Sequence, residues 1–201
     1  MKYLANLIFF VLILLAGCGE KKEPPIKIFD LKKTNIQQKV IPTGEPIPWD
    51  ELIHTLPSPL EGFIEKWQRE GRTFSSKTWK VSEVKAGYTS PETPLIEVKI
   101  TDFAYISSYP LYKNWLEFRK SEENFSAGYR LATWIRNHPA IEEYYYQGGK
   151  GSLTFMIGKR FAVEIRGEGM KAPAILSKFA KQIDIEQLTK WAKSLDSSQS
   201  K

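Results

Sequence analysis

The chain has 201 residues, one cysteine, two histidines, and 29 Lys+Arg against 23 Asp+Glu, giving a formal net charge of +6. One cysteine excludes an internal disulfide and a cysteine-rich metal site, and two histidines leave little material for a histidine metal centre. Hydrophobic residues at 42% and aromatics at 13% are too abundant for a disordered chain, and the length suits one domain with appendages.

Residues 1–17 read as a cleaved address. Lys2 supplies a positive start, Leu7 to Leu15 is an unbroken apolar run, and Ala16 and Gly17 are small. This is the layout of a secretory signal peptide. The run is too short to span a bilayer, which takes about 20 apolar residues. It ends in Leu15-Ala16-Gly17-Cys18, which resembles the lipobox of bacterial lipoproteins at every position. The resemblance implies cleavage between Gly17 and Cys18, a diacylglyceryl thioether on the Cys18 sulfur, and acylation of the new amino group. Two or more acyl chains anchor a protein stably where one does not, so the expected mature protein is held at the membrane through lipid. Gly19 after the cysteine resembles the pattern of lipoproteins sent to the outer membrane of a two-membrane bacterium, facing the periplasm. In a one-membrane bacterium, the same signal places the protein on the outer face of the cell membrane.

Removing the leader removes Lys2 and no acid, so the mature charge is one unit below +6. Residues 18–57 read as a lipidated tether, because seven of the twelve prolines lie between Pro24 and Pro59. Prolines at that density block a continuous helix and favour extended backbone, with a reach of about 3.1 Å per residue. Within it, Lys21, Lys22, Lys27, Lys32, Lys33 and Lys39 alternate with acids as a solvated stretch, and Ile47 to Leu56 is apolar enough to dock on the domain.

A single domain is expected over 58–196, with a frayed polar tail at 197–201. Leu60, Phe63, Ile64 and Trp67 have the spacing of one helical face. Lys77 to Thr89 reads as a strand, Ser90 to Pro94 as a turn, and Leu95 to Ile106 as a second strand. Pro110 suits a first helical position, followed by a stripe of Leu111, Trp115 and Phe118. Ser126 to Ile135 alternates as a strand, Asn137-His138-Pro139 breaks it, and Ile141 to Tyr146 is a further strand. The clearest hairpin joins Ser152–Ile157 to 160–167. Leu153, Phe155 and Ile157 share one face, as do Phe161, Val163 and Ile165. A two-residue loop would set core residues opposite surface ones. Side-chain parity therefore predicts a three-residue loop, Gly158-Lys159-Arg160, pairing Ile157 with Phe161. Pro173 opens a helix burying Ile175, Leu176, Phe179, Ala180 and Ile183. Asp184 caps another, with Gln187 three residues on and Ile185, Leu188, Ala192 and Leu195 inward.

Two strands, a helix, four strands and two C-terminal helices, with short links, predict an α+β domain whose mainly antiparallel sheet has about six strands. In element order this loosely resembles the PsbP/Mog1-like domains, and uncharacterised bacterial periplasmic domains with a closing stretch like Gly158 to Gly167. Neither resemblance carries a catalytic motif.

Each candidate for chemistry has a plain alternative. In Gly148-Gly149-Lys150-Gly151-Ser152, Tyr144 stands where a phosphate loop needs its first glycine, so a hairpin loop is expected. Glu142 and Glu143 are strand neighbours and point to opposite faces. His54 and His138 lack a Ser or Cys partner within any recognisable motif, Cys18 being consumed by lipid. No catalytic residue, metal site or cofactor is expected beyond the covalent lipid. Tyr144 and Tyr146, with Arg130, Arg160 and Arg166 on strands, form a tentative basic-aromatic binding face. The expected protein is a non-enzymatic envelope lipoprotein that contacts a protein or cell-wall component, with no nucleic acid as partner. The alternative is a small-ligand or carrier module with an apolar, aromatic pocket.

Overall fold

A computed structural model describes residues 44–77, 79–104, 115–117, 120 and 122–196. Cys18 and the leader expected before it lie outside them, as do most of the helix expected at Pro110 and residues 197–201; residues 115–117 are helical. The described residues belong to one compact unit, Lys39–Lys201.

Eight strands form one antiparallel sheet: β1 (Ile64–Ser75), β2 (Lys80–Ser90), β3 (Thr93–Asp102), β4 (Glu123–Phe125), β5 (Gly128–Ile135), β6 (His138–Tyr145), β7 (Lys150–Ile157) and β8 (Phe161–Glu168). The spatial order is β1-β2-β3-β8-β7-β6-β5-β4. Two meanders therefore meet at the centre, where β3 pairs with β8 and sets Val98 opposite Ile165 and Ile100 opposite Val163. Helices α1 (Trp49–Leu52), α2 (Ala174–Gln182) and α3 (Ile185–Asp196) complete the elements described below. The class is α+β, as expected. The sheet has eight strands where the sequence suggested about six.

Period-two alternation sends one set of side chains to the helix-covered face. Val84, Ala86 and Tyr88 of β2, Ile96, Val98 and Ile100 of β3, and Leu153, Phe155 and Ile157 of β7 are all buried there. Leu176, Phe179 and Ala180 of α2 and Leu188 and Ala192 of α3 close over them. Phe179 sits at the centre, 5.2 Å from the Phe63 ring and 4.8 Å from that of Tyr88. Each such large apolar side chain contributes about 1.5–3 kcal/mol on burial.

The 157–161 hairpin has the register that parity requires, with Ile157 opposite Phe161 and Phe155 opposite Val163 across a three-residue turn. The α3 start is also as read: the Gln187 amide donates to Asp184 Oδ1 at 2.9 Å.

The helix expected at 60–67 is instead a turn at Leu60–Phe63 running into β1. Two register shifts, between Glu65 and Trp67 and between Trp67 and Glu70, break the period-two pattern and imitate helical spacing. Phe63 thus packs into the core while Trp67 lies across the other face over Gly87, where a Cβ would come within 2.2 Å of its ring. The break expected at Asn137-His138-Pro139 is confined to Arg136 and Asn137, and β6 begins at His138.

Within residues 44–57, several side chains pack on the domain. Leu52 and Leu56 are buried in the core, and the Tyr88 hydroxyl donates to the Pro57 carbonyl. Burial pushes the Tyr88 phenol up to about 12, with Arg69 opposing and Glu65 adding to the rise. Arg69 also donates to the Leu56 and Pro57 carbonyls. Prolines 46, 48 and 57 exclude a long helix but leave room for a four-residue one followed by a 3-10 turn at Ile53–Thr55.

Candidate functional site

The five residues of the expected binding face are divided among three places. Arg130 and Arg166 share a row on the sheet face away from the helices, running Glu123, Arg130, Glu143, Ser152, Arg166 and Glu97 across successive strands. Their charges are met within the sheet. Arg130 pairs with Glu143 and, at 3.4 Å, with Glu123. Arg166 pairs with Glu164 at 2.6 Å, and Glu164 also meets Lys99 at 2.8 Å.

Tyr144 and Tyr146 come together with Tyr129 on the helix side, their ring centroids 6.1–6.4 Å apart. Tyr144 is buried and donates to the Met170 carbonyl at 3.0 Å. Tyr129 donates to Glu142 Oε1 at 2.7 Å. Burial, and then that bond to a carboxylate, hold the Tyr129 phenol well above its ordinary range. Only Tyr146 of the three is well exposed. The neighbouring glycines serve backbone approach. Gly149, at φ +55, has the Met170 carbonyl 2.1 Å from where a Cβ would stand, and its own carbonyl accepts the Met170 amide at 2.9 Å. Lys150, Gly151 and Ser152 are already strand, so this stretch is not a phosphate loop.

Arg160 is buried. Its Nε and Nη2 donate to the two oxygens of fully buried Asp102, both at 2.8 Å. Nη1 and Nη2 also reach the carbonyls of Trp191 and Glu45 at 3.3 and 3.2 Å. The Asp102 carboxylate accepts the Ile47 and Ala104 amides as well, at 2.7 and 2.8 Å. This pair joins the hairpin turn, the end of β3, the segment before α1, and α3. It is a structural clasp with its polar groups occupied by the fold.

A different region is open and basic. Arg136, Asn137 and His138 at the β5–β6 turn face α3 across a cleft of about 800 Å³. Glu186, Thr189, Lys190 and Lys193 of α3 line the opposite wall, with Ile185 beside them. Positions 186, 189, 190 and 193 recur on one helical face, and Ile185 and Leu188 hold the opposite face in the core. Arg136 has a left-handed backbone, φ 51, which costs a non-glycine residue about 1–2 kcal/mol. Its guanidinium approaches Glu186 at 3.6 Å, with both side chains exposed. Neither Lys190 nor Lys193 has an acidic partner among the described residues. His138 is half-buried, and burial first, then the Arg136 charge, keep its imidazole below the usual 6.5. His138 therefore enters as a neutral donor or acceptor beside three permanent cations. The other histidine, His54, is exposed on the 3-10 turn and does not line this cleft.

A second, smaller cleft of about 440 Å³ lies near Trp49, Thr73 and Ser82. Its one lysine, Lys80, pairs with Glu45 at 2.7 Å, and Asp50 is a second acid on the lining, so the cleft has no cationic excess.

In the sequence, Asn137 and His138 mark a strand break, His138 is a histidine without a catalytic partner, and Lys190 and Lys193 fall on the polar side of a helix. Nothing local joins two stretches some fifty positions apart. An arginine in a tight turn before a strand, and lysines three apart on the exposed side of an amphipathic helix, were the available signals. Fold and cleft together define an antiparallel α+β domain carrying an open cationic groove. Protein-family models, curated proteins and solved structures give no match to the chain. No helix among the described residues is long and apolar enough to cross a membrane.

Proposed function

We propose that the protein is a lipid-anchored envelope protein whose α+β domain is a non-enzymatic binding module. The observation that carries the address is Leu15-Ala16-Gly17-Cys18 directly behind a nine-residue apolar run. Cys18 takes the lipid, and the proline-rich stretch after it gives the domain reach from the membrane. Gly19 favours the outer membrane, facing the periplasm, in a two-membrane bacterium, and the outer face of the cell membrane otherwise. The partner in this reading is an envelope protein or cell-wall component.

A second reading, a small-ligand module, is favoured by the cleft at Arg136, Lys190 and Lys193. Its lining is cationic rather than aromatic, so the ligand differs from the one an aromatic pocket would take.

Replacing Cys18 by Ala tests the anchor. In bacterial cells the wild-type protein should sediment with membranes and carry an acylated amino-terminal cysteine by mass spectrometry. The variant should lose the acyl mass and remain an uncleaved precursor. A Cys18→Ala chain that still fractionates with membranes and is processed normally would overturn the lipoprotein reading.

A further inference from the structure

We propose that the cleft between the β5–β6 turn and α3 binds a phosphate-bearing dianion, gripped by Arg136, Lys190 and Lys193. The proposal rests on the small-ligand reading and names its ligand class.

Charge is the first argument. Three permanent cations line the cleft against one carboxylate, Glu186. The excess is two positive charges, which a phosphomonoester group, carrying about −1.5 to −2 at neutral pH, neutralises. The contrast with the other arginines is the second argument. Arg130, Arg160 and Arg166 have their charges met by Glu143, Asp102 and Glu164. Among the described residues the cleft cations have one ion pair, Arg136–Glu186 at 3.6 Å between two exposed side chains, and such a pair contributes little. An incoming dianion displaces it cheaply.

Geometry is the third argument. The guanidinium supplies a planar fork matched to phosphate oxygens, while the ammonium groups act as compact point charges. Thr189, Asn137 and neutral His138 add uncharged donors around them. Glu186 leans toward Arg136 at 3.6 Å, and Lys193 lies about two helical turns further along α3, so of the three cations Lys193 stands farthest along the helix from that carboxylate. The same phosphate chemistry is offered by a soluble phosphate compound and by a lipid headgroup.

The test uses the chain from residue 18 onward with Cys18→Ser, so that no lipid contributes. Pyrophosphate is titrated in by calorimetry, with citrate as a carboxylate control of similar charge. In parallel, the protein is sedimented with vesicles of phosphatidic acid in phosphatidylcholine and with phosphatidylcholine alone. Pyrophosphate should bind at low salt, weaken as salt rises, and weaken at least about tenfold in Arg136→Gln/Lys190→Gln, a loss of about 1.4 kcal/mol. Lys181→Gln on α2, outside the cleft, should bind as the parent does. Lys193→Gln alone gives a milder probe if the double variant melts early. Pyrophosphate binding without vesicle binding identifies a soluble source, and vesicle binding lost in the same variants identifies a headgroup; either supports the proposal. Equal binding of citrate at these residues overturns the phosphate class while keeping a small-ligand site. No binding in any arm, or binding that the variants leave unchanged, overturns the site itself. None of these outcomes touches the lipid anchor, which the tested chain lacks.

Discussion

Two arginines flank the same helix and are used in opposite ways. Arg160 reaches the α3 end of the molecule from the β7–β8 turn, is 1% exposed, and spends its donors on Asp102, Trp191 and Glu45. Arg136 reaches α3 from the β5–β6 turn, is 45% exposed, and among the described residues pairs with Glu186, itself 89% exposed. A buried guanidinium must be fully satisfied, because stranding a charge in the interior costs more than the pair returns. An exposed one is solvated in any case, so it is available to a ligand. Residue type and a turn position before a strand are common to both; burial decides which arginine is structure and which is site.

The strongest way to break this contrast is to remove Asp102. Asp102→Ala leaves the Arg160 guanidinium buried without its carboxylate and should cost about 3–5 kcal/mol, a large share of the about 5–15 kcal/mol that holds a domain together. Urea denaturation reads the loss as a lower midpoint at unchanged slope. Asp102→Leu combined with Arg160→Met should recover part of it, since no charge is left unpaired, although the Ile47 and Ala104 amides lose their acceptor. A single Asp102→Ala that costs under about 1 kcal/mol would mean that Arg160 is solvated and the clasp reading is wrong.

Arg136→Gly sharpens the same contrast with a smaller effect. Glycine adopts positive φ without penalty, so removing the side chain should leave stability unchanged or raise it by up to about 1 kcal/mol. Pyrophosphate binding should fall in the same variant. Stability and binding moving in opposite directions is the signature of strain kept at a functional position. If both fall together, Arg136 contributes to the fold, and the difference between the two arginines narrows.

The hairpin register was legible because its two apolar triplets have a parity that only one loop length satisfies, and the Asp184 cap because its partner is three residues away. β1 was not, because its bulges at Trp67 give a strand the spacing of a helix. β4 is three residues with no buried side chain, too short to carry any period. The tyrosine pair was visible as neighbours two apart, although their ring partner Tyr129 lies on the adjacent strand. Arg160 read as a surface strand residue because its defining partner, Asp102, is 58 positions upstream. The cleft suffered likewise, since charge complementarity between a turn and a helix is a property of tertiary placement alone. The proposed address rests on a contiguous motif, and the proposed site does not.

The smallest expected effect concerns protons. His138 is faced by Arg136 from its own turn and by Glu186, Lys190 and Lys193 from α3, and its pKa is lowered from 6.5 chiefly by burial, then by Arg136. The unfolded chain therefore takes up this proton at a higher pH than the folded one. Above about pH 6.5 both states are neutral and His138 is silent; as pH falls below that value, the unfolded state gains and stability declines. Denaturation midpoints from about pH 7.5 to about pH 5.5 should fall more steeply for the wild type than for His138→Gln. A bound dianion beside the ring favours the imidazolium and opposes both causes of the shift. Adding pyrophosphate should therefore flatten the wild-type slope toward that of the variant. Parallel slopes for wild type and His138→Gln without ligand would show that the ring is solvated. A wild-type slope that pyrophosphate leaves unaltered would place the anion away from His138, toward Lys193 at the far end of α3.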